Sequence, residues 1–285
     1  MEVVTTIAEL RSLRSSSGHG KTIGFVPTMG YLHAGHISLV TMARALNDIA
    51  VVSIFVNPTQ FGPNEDLSNY PRDMERDLLM LRESGVDWVF TPSVEEMYPK
   101  GYSSFVEVRG VTERLEGEKR PGHFRGVTTV VAKLFNIVQP TSAYFGQKDA
   151  QQVAAIRKMV VDLNFPVQIV VGETVREEDG LAMSSRNVYL SAEERRAALV
   201  LYRALTAVQQ LWDNGERRGR ALRGALSRVL AEEPLAQPDY VSVADAITLK
   251  ELEDGQSANE VLASLALRIG KTRLIDNVIL RERET

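Results

Sequence analysis

Two histidines three residues apart, His33 and His36, stand in the segment Pro27-Thr28-Met29-Gly30-Tyr31-Leu32-His33-Ala34-Gly35-His36. Imidazoles can hydrogen-bond a phosphate oxygen and can move a proton near neutral pH. The segment follows an apolar run, Ile23-Gly24-Phe25-Val26, and precedes a helical pattern marked by Ile37, Val40, Ala43 and Ala45. That order predicts a strand, a tight glycine-containing turn and a helix opening near the second histidine. A helix start offers unpaired N–H groups and a partial positive charge, both favourable to phosphate. Two readings fit the segment alone. It binds a nucleotide α-phosphate and stabilises charge at a phosphorus under attack, or it is a pair of packed or solvent-facing histidines on an ordinary strand-to-helix turn.

Three more polar clusters follow apolar runs. In Asn57-Pro58-Thr59-Gln60-Phe61-Gly62 the amides of Asn57 and Gln60 suit a ligand with hydroxyls and a carboxylate. The alternative is a polar turn fixed by Pro58 and Gly62. In Gly146-Gln147-Lys148-Asp149 the lysine can reach a phosphate as a point charge, Asp149 can cap the next helix, and Gln152 lies one turn further on. Met183-Ser184-Ser185-Arg186-Asn187 places two hydroxyls beside a guanidinium able to bind phosphate oxygens in pairs, though in isolation it reads as a surface loop.

Positioning these clusters takes strands that end just before them. Residues 49–56 are nearly continuous in apolar and β-branched side chains, as expected of a buried parallel strand. A helix is predicted over 72–84, with Met74, Leu78, Leu79 and Leu81 inward, and a strand over 87–90. Residues 125–138 carry Val127, Val130, Val131, Leu134, Phe135 and Val138 at 3-4-3-4 spacing, closed by Gln139-Pro140. A strand at 143–145, a helix at 150–163 and a strand at 167–171 complete an alternating order. The fold class is therefore α/β, a Rossmann-like open parallel sheet with helices on both faces. Ligands bind such sheets at the carboxyl ends of the strands, where all four clusters fall. No G-x-G-x-x-G follows any strand, which argues against a dinucleotide site. After residue 175 the pattern changes to helices at about 191–213 and 216–232 and strands at 240–243, 261–269 and 274–280. We expect a first domain over 1–175 and a smaller C-terminal α+β domain over 176–285.

The 285 residues are 44% hydrophobic and 25% charged, with a net charge of −4 and no cysteine. That composition excludes disulfides, thiolate metal sites and thiol catalysis, and gives no electrostatic reason to expect nucleic acid. No signal-peptide pattern or membrane-length apolar run is read, so a cytoplasmic protein is expected. His19 reads as solvent-exposed. The arginines at 217, 218, 220 and 223, like Arg195-Arg196, read as a solvated face or an intersubunit contact. Trp88 and Trp212 read as core or interface residues.

The segments P-T-M-G-Y-L-H-A-G-H, F-V-N-P-T-Q-F-G-P-N-E-D, Y-P-R-D, R-P-G-H-F-R-G-V, Y-F-G-Q-K-D-A-Q-Q and G-L-A-M-S-S-R-N run in order from residue 27 to 187. Together they resemble the pantoate–β-alanine ligase (pantothenate synthetase) family, within the H-x-G-H nucleotidyl-transferase superfamily. The resemblance implies ligation of (R)-pantoate to β-alanine through a pantoyl adenylate, with ATP and Mg²⁺. It implies that His33 and His36 hold the α-phosphate, with His36 the proton donor, and that Lys148 and Arg186 join them in catalysis. ATP would contact Met29, Gly30, Tyr31, Leu32, His33, Ala34, Gly35 and His36. It would also meet Gly146, Gln147, Lys148, Asp149, Val175, Met183, Ser184, Ser185 and Arg186. Gln60, Gln152 and Asn57 would serve pantoate and β-alanine. A homodimer is implied, with the second domain acting as a lid that excludes water from the adenylate.

Asp73 and Asp77 are acidic candidates for Mg²⁺, but their spacing matches no ligand pattern and reads as a solvated helix face. Arg120 and His123 either reach the β-alanine end of the cleft or anchor a loop. The rivals are a nucleotidyltransferase acting on a phosphorylated small molecule, which needs no amine, and a non-catalytic nucleotide-binding module.

Overall fold

Successive apolar runs of this chain are too hydrophobic to leave either face in water, so they assemble as inner strands covered by helices. A computed structural model describes residues 1–282 apart from 64, 257 and 259. Asn64, inside the F-V-N-P-T-Q-F-G-P-N-E-D motif, thus lies outside the described residues. The chain packs as two units, Met1–Gln147 with Ala155–Glu173, and Lys148–Ala154 with Thr174–Thr285.

The first unit alternates β1 (Glu2–Val4), α1 (Ile7–Ser17), β2 (Ile23–Thr28), α2 (Ala34–Leu46), β3 (Ile49–Ile54), α3 (Met74–Glu83), β4 (Trp88–Phe90), α4 (Val94–Met97), α5 (Glu116–Lys119), α6 (His123–Val138), β5 (Ser142–Gly146), α7 (Ala150–Asp162) and β6 (Gln168–Gly172). Only the first residues of α7, Ala150–Ala154, go with the second unit. The six strands form one sheet, in the order β1-β4-β3-β2-β5-β6, and every pairing is parallel. From β2 the chain builds outward through β3 to β4, then returns to the other side of β2 for β5 and β6. The order reverses between β2 and β5, and the mouth of a parallel sheet at such a reversal is where ligands bind. The open parallel α/β sheet expected from the sequence is the one observed. β1, too short to stand out in the sequence, extends it at the β4 edge, and α1, too polar to stand out, packs with α6.

All six residues of β3 are buried, as its central place requires. In α6 the six apolar positions at 3-4 spacing are all buried, and Gln139 ends the helix in the left-handed region. Three details differ from the sequence reading. In α3 the buried residues are Asp77 and Leu81, while Met74 and Leu79 are 44% and 51% exposed. The inward stripe repeats at a spacing of four from a carboxylate, Leu78 packs half-buried against the core as expected, and Met74 and Leu79 face outward. In α2 the inward face is Leu39, Val40 and Ala43, and Ala45 is exposed.

The third difference lies in the second unit, where the long helix predicted at 191–213 is two helices. The break falls at Ala198 and Leu199, where bonding tightens to the i−3 pattern of Leu199 N–H to Arg196 O and Leu201 N–H to Ala198 O. The unit comprises α8 (Ala192–Ala197), α9 (Val200–Asp213), α10 (Gly219–Leu230) and the strands β7 (Ala236–Asp245), β8 (Glu260–Ile269) and β9 (Thr272–Arg281). The strands form an antiparallel sheet in sequence order. Leu201, Leu205, Val208, Leu222 and Leu226 share its core with Val261, Ala263, Leu265 and Leu267. Trp212 is buried there and donates from Nε1 to the Arg281 carbonyl at 2.9 Å. The basic run of α10 and its approach is held locally: Arg217 stacks on Trp212, Arg218 pairs with Glu216 and Arg223 with Glu251. Among the described residues no helix is long and apolar enough to cross a membrane.

Candidate active site

The turn after β2 combines two left-handed residues, Gly30 at φ +83° and Tyr31 at φ +51°. For a tyrosine that conformation costs roughly 1 kcal/mol, so the surroundings must impose it. They do so through Asp77 of α3. Its two carboxylate oxygens accept the N–H groups of Tyr31 and Leu32, each at 2.7 Å. Asp77 is 1% exposed, and burial outweighs these hydrogen bonds to push its carboxyl above the usual range. A Cβ on Gly30 would stand 3.1 Å from that carboxylate. Asp77 is thus no part of a solvated face, and the expectation that it was fails because its partners are backbone groups, invisible in side-chain patterning. Asp73 caps α3 by accepting from Arg76 N–H at 3.1 Å. Among the described residues no group of three or more His, Cys, Asp or Glu is placed to hold a metal.

Past this clamp the chain enters α2. His33 is the N-cap, and its Nδ1 accepts from Gly35 N–H at 3.1 Å. His36, three residues on, accepts from the His33 N–H through its own Nδ1 at 3.2 Å. The two rings lie 4.1 Å apart between centroids. This is a capping box built from imidazoles in place of hydroxyl and carboxylate. A neutral imidazole with Nδ1 accepting carries its proton on Nε2. Each ring is therefore set as an Nε2–H donor at the positive end of a helix, the arrangement that suits a phosphate.

The turn after β3 is organised differently. Asn57 is buried and fully engaged. Its Nδ2 donates to Gln60 Oε1 and to the Gly126 carbonyl, and its Oδ1 accepts from Thr59 Oγ1 and Tyr98 Oη. Because Asn57 takes the Gln60 oxygen, the Gln60 Nε2 is the donor left to face Met29, whose sulfur lies 3.0 Å away. Arg120 grips Glu65 in a bidentate pair at 2.6 and 2.7 Å. Burial lifts the Glu65 carboxyl, but the Arg120 hydrogen bond and charge turn the net shift downward. Arg120 and His123 therefore anchor this loop.

In the second unit, residues 175–183 double back on themselves. Met183 N–H reaches the Val175 carbonyl at 3.0 Å and Glu177 N–H the Leu181 carbonyl at 2.8 Å. Gly180, at φ +95°, turns the hairpin against the Tyr202 ring, which leaves no room for a Cβ. Arg176 makes a two-point pair with buried Asp276 at 2.6 and 3.1 Å. The hairpin delivers Ser184 as a cap that accepts from Arg186 N–H at 3.2 Å, with Ser185 buried. Lys148 belongs to the same unit, where its carbonyl accepts from Asn277 Nδ2 at 2.8 Å. Its ammonium lies 3.9 Å from Asp149, and Gln152 is half-buried one turn into α7.

The predicted residues thus fall into two sets. Met29 to His36, Asn57, Gln60, Gly146 and Gln147 lie in the first unit, and Lys148, Asp149, Gln152, Val175 and Met183 to Arg186 in the second. A family model described as pantoate-beta-alanine ligase matches residues 2–279. The chain belongs to that family. It is 61% identical over 280 residues to a pantothenate synthetase from Herpetosiphon aurantiacus, covering 98% of this chain and all of the relative. A second pantothenate synthetase, from a Roseiflexus species, is 62% identical over 280 residues, covering 98% of this chain and 99% of that one. Among solved structures, a pantothenate synthetase from Thermus thermophilus superposes with a TM-score of 0.94 at 50% identity, over 99% of this chain and 100% of that one. A Francisella tularensis pantoate-beta-alanine ligase complexed with beta-gamma ATP and beta-alanine matches with a TM-score of 0.80 at 37% identity, over 98% of this chain and 97% of that one. In this member of the family, sequence reasoning missed Asp77 and Glu65 as supports of the site, because what they hold lies far away along the chain.

Proposed function

We propose that the protein joins (R)-pantoate to β-alanine with cleavage of ATP to AMP and pyrophosphate. A pantoate carboxylate oxygen attacks the α-phosphorus and pyrophosphate leaves, giving pantoyl adenylate. The amine of β-alanine then attacks the acyl carbon, AMP leaves and the amine gives up a proton as the amide forms. The first nucleophile is already an anion, so catalysis rests on positioning and charge stabilisation rather than on a strong base. The observation that carries this reading is the pair of Nδ1-anchored imidazoles at the start of α2, in a chain that matches the ligase family over residues 2–279.

In this reading His33 and His36 donate to the α-phosphate, His36 being the proton donor. Lys148, Ser184, Ser185 and Arg186 take the remaining phosphate oxygens. The backbone of Met29 to Gly35 and of Gly146 to Asp149, with Val175 and Met183, lines the nucleotide. Gln60 and Gln152 bind pantoate, and Asn57 contributes by holding Gln60. Mg²⁺ would arrive on the triphosphate, whose oxygens supply ligands that these residues lack. When bound, it would neutralise phosphate charge. Cytoplasmic location and a homodimeric state complete the proposal; a cysteine-free chain and its family support them. The direct test is exchange of labelled pyrophosphate into ATP without β-alanine. Pantoate-dependent exchange is expected, and ATP binding without exchange would contradict the reading.

A further inference from the structure

Behind Gln60 lies a chain of polar contacts that ends on its main chain. His123, first residue of α6, holds the Gln60 carbonyl at 2.8 Å from Nδ1, and its Nε2 meets Arg120 Nη1 at 3.0 Å. A carbonyl only accepts and a guanidinium only donates. The ring is therefore neutral, with its proton on Nδ1 and given to Gln60. Burial, and next the adjacent Arg120 charge, hold the His123 pKa down at about 4, in keeping with a ring that stays neutral. Arg120 is itself fixed by both oxygens of Glu65 at 2.6 and 2.7 Å, so its position is set from the far side. The same helix touches the loop twice more. Gly126 accepts from Asn57 Nδ2 at 3.2 Å, and a Cβ on Gly126 would overlap the Thr59 carbonyl. The Gln60 side chain has its oxygen committed to Asn57, so the aim of its Nε2 follows from where this backbone is held.

We infer that His123 is a positioning residue for pantoate, acting through the Gln60 main chain, and that the Glu65–Arg120 pair sets the direction of its proton. His123 does not touch the substrate in this account. The inference rests on the proposed role of Gln60. The imidazole has two separable functions. Asparagine can reproduce the Nδ1 donor to Gln60 and glutamine the Nε2 side that faces Arg120.

The test is steady-state kinetics of H123N, H123Q, H123A and E65Q, with Q60A as control and thermal melting of each. H123Q and H123A are expected to raise the pantoate KM about tenfold, the effect of one lost hydrogen bond at a site that must stay aligned. The ATP KM should stay within about twofold and H123N should restore most of the pantoate KM; E65Q, which leaves Arg120 half-held, should fall between. Equal rises in all three His123 variants, or a parallel rise in the ATP KM, would overturn the inference by showing a role in folding alone. Should H123A fail to fold, the contrast between H123N and H123Q decides. If Q60A raises the pantoate KM while H123Q and H123A do not, the positioning role alone is lost. If Q60A leaves that KM unchanged, the reading of Gln60 itself is wrong.

Discussion

The two turns that follow β2 and β3 solve the same problem with opposite economies of distance. After β2 the two imidazoles are fixed by nearby backbone: His33 accepts from a group two residues away, and His36 from one three residues away. After β3 the amide proposed to meet pantoate is held from afar. Gln60 depends on His123, 63 residues on, and its neighbour Asn57 depends on Tyr98 and on Gly126, 41 and 69 residues on. The first turn takes its backbone conformation from Asp77 of α3, whereas the second is held by the end of α6. Local self-capping suits donors that must meet a fixed phosphate. On the proposed reading the pantoate pocket takes an aimed side chain, Gln60, and tertiary packing supplies the aim.

The largest expected effect breaks the self-capped turn at its functional ring. His36→Ala should lower the adenylation rate, read by pyrophosphate exchange, by about two to four decades, as for loss of a charge-stabilising donor. ATP binding should change far less. Unaltered exchange would remove the histidines from the mechanism. Next comes the distant support of the same turn. Asp77→Asn leaves an amide NH₂ facing a backbone N–H in a buried site, and should cost about 2–3 kcal/mol in urea denaturation. Its ATP KM should rise more than its pantoate KM. A pantoate-selective effect would merge the two turns into one support system.

A last contrast concerns pH. His123 has a folded pKa of about 4, below its ordinary 6.5, so unfolding takes up a proton between those values. Stability from this residue is complete above about pH 6.5 and is lost as pH falls through 4. H123N, which keeps the hydrogen bond without the titration, should flatten the melting temperature across that window. An identical slope in both proteins would show that His123 does not titrate there.

These contrasts also explain what the sequence could and could not disclose. Five of the six strands and the parallel character of the sheet were legible because Ile49 to Ile54 and the spaced apolar residues of α6 bury what their pattern says, whereas the three-residue β1 was not. The histidine pair was legible because the bonds that anchor its rings span two and three residues. Asp77 was not, since it serves amides 45 and 46 residues away, on a helix where Met74 and Leu79 imitate a core face. Arg120 and His123 were noticed, yet their anchoring role depends on Glu65 and Gln60, 55 and 63 residues earlier. The serine–arginine segment was read from its residue types, whereas the Arg176–Asp276 pair beside it joins residues 100 apart. Residue chemistry announces the groups proposed to meet a ligand, and long-range packing conceals those that hold them in place.

The most direct test of the whole account is AMP formation with each substrate withheld in turn. ATP, pantoate and β-alanine together should give AMP in step with amide product, and omission of any one should abolish it. Steady AMP release without β-alanine, or with pantoate replaced by a phosphorylated acceptor, would contradict the ligase assignment.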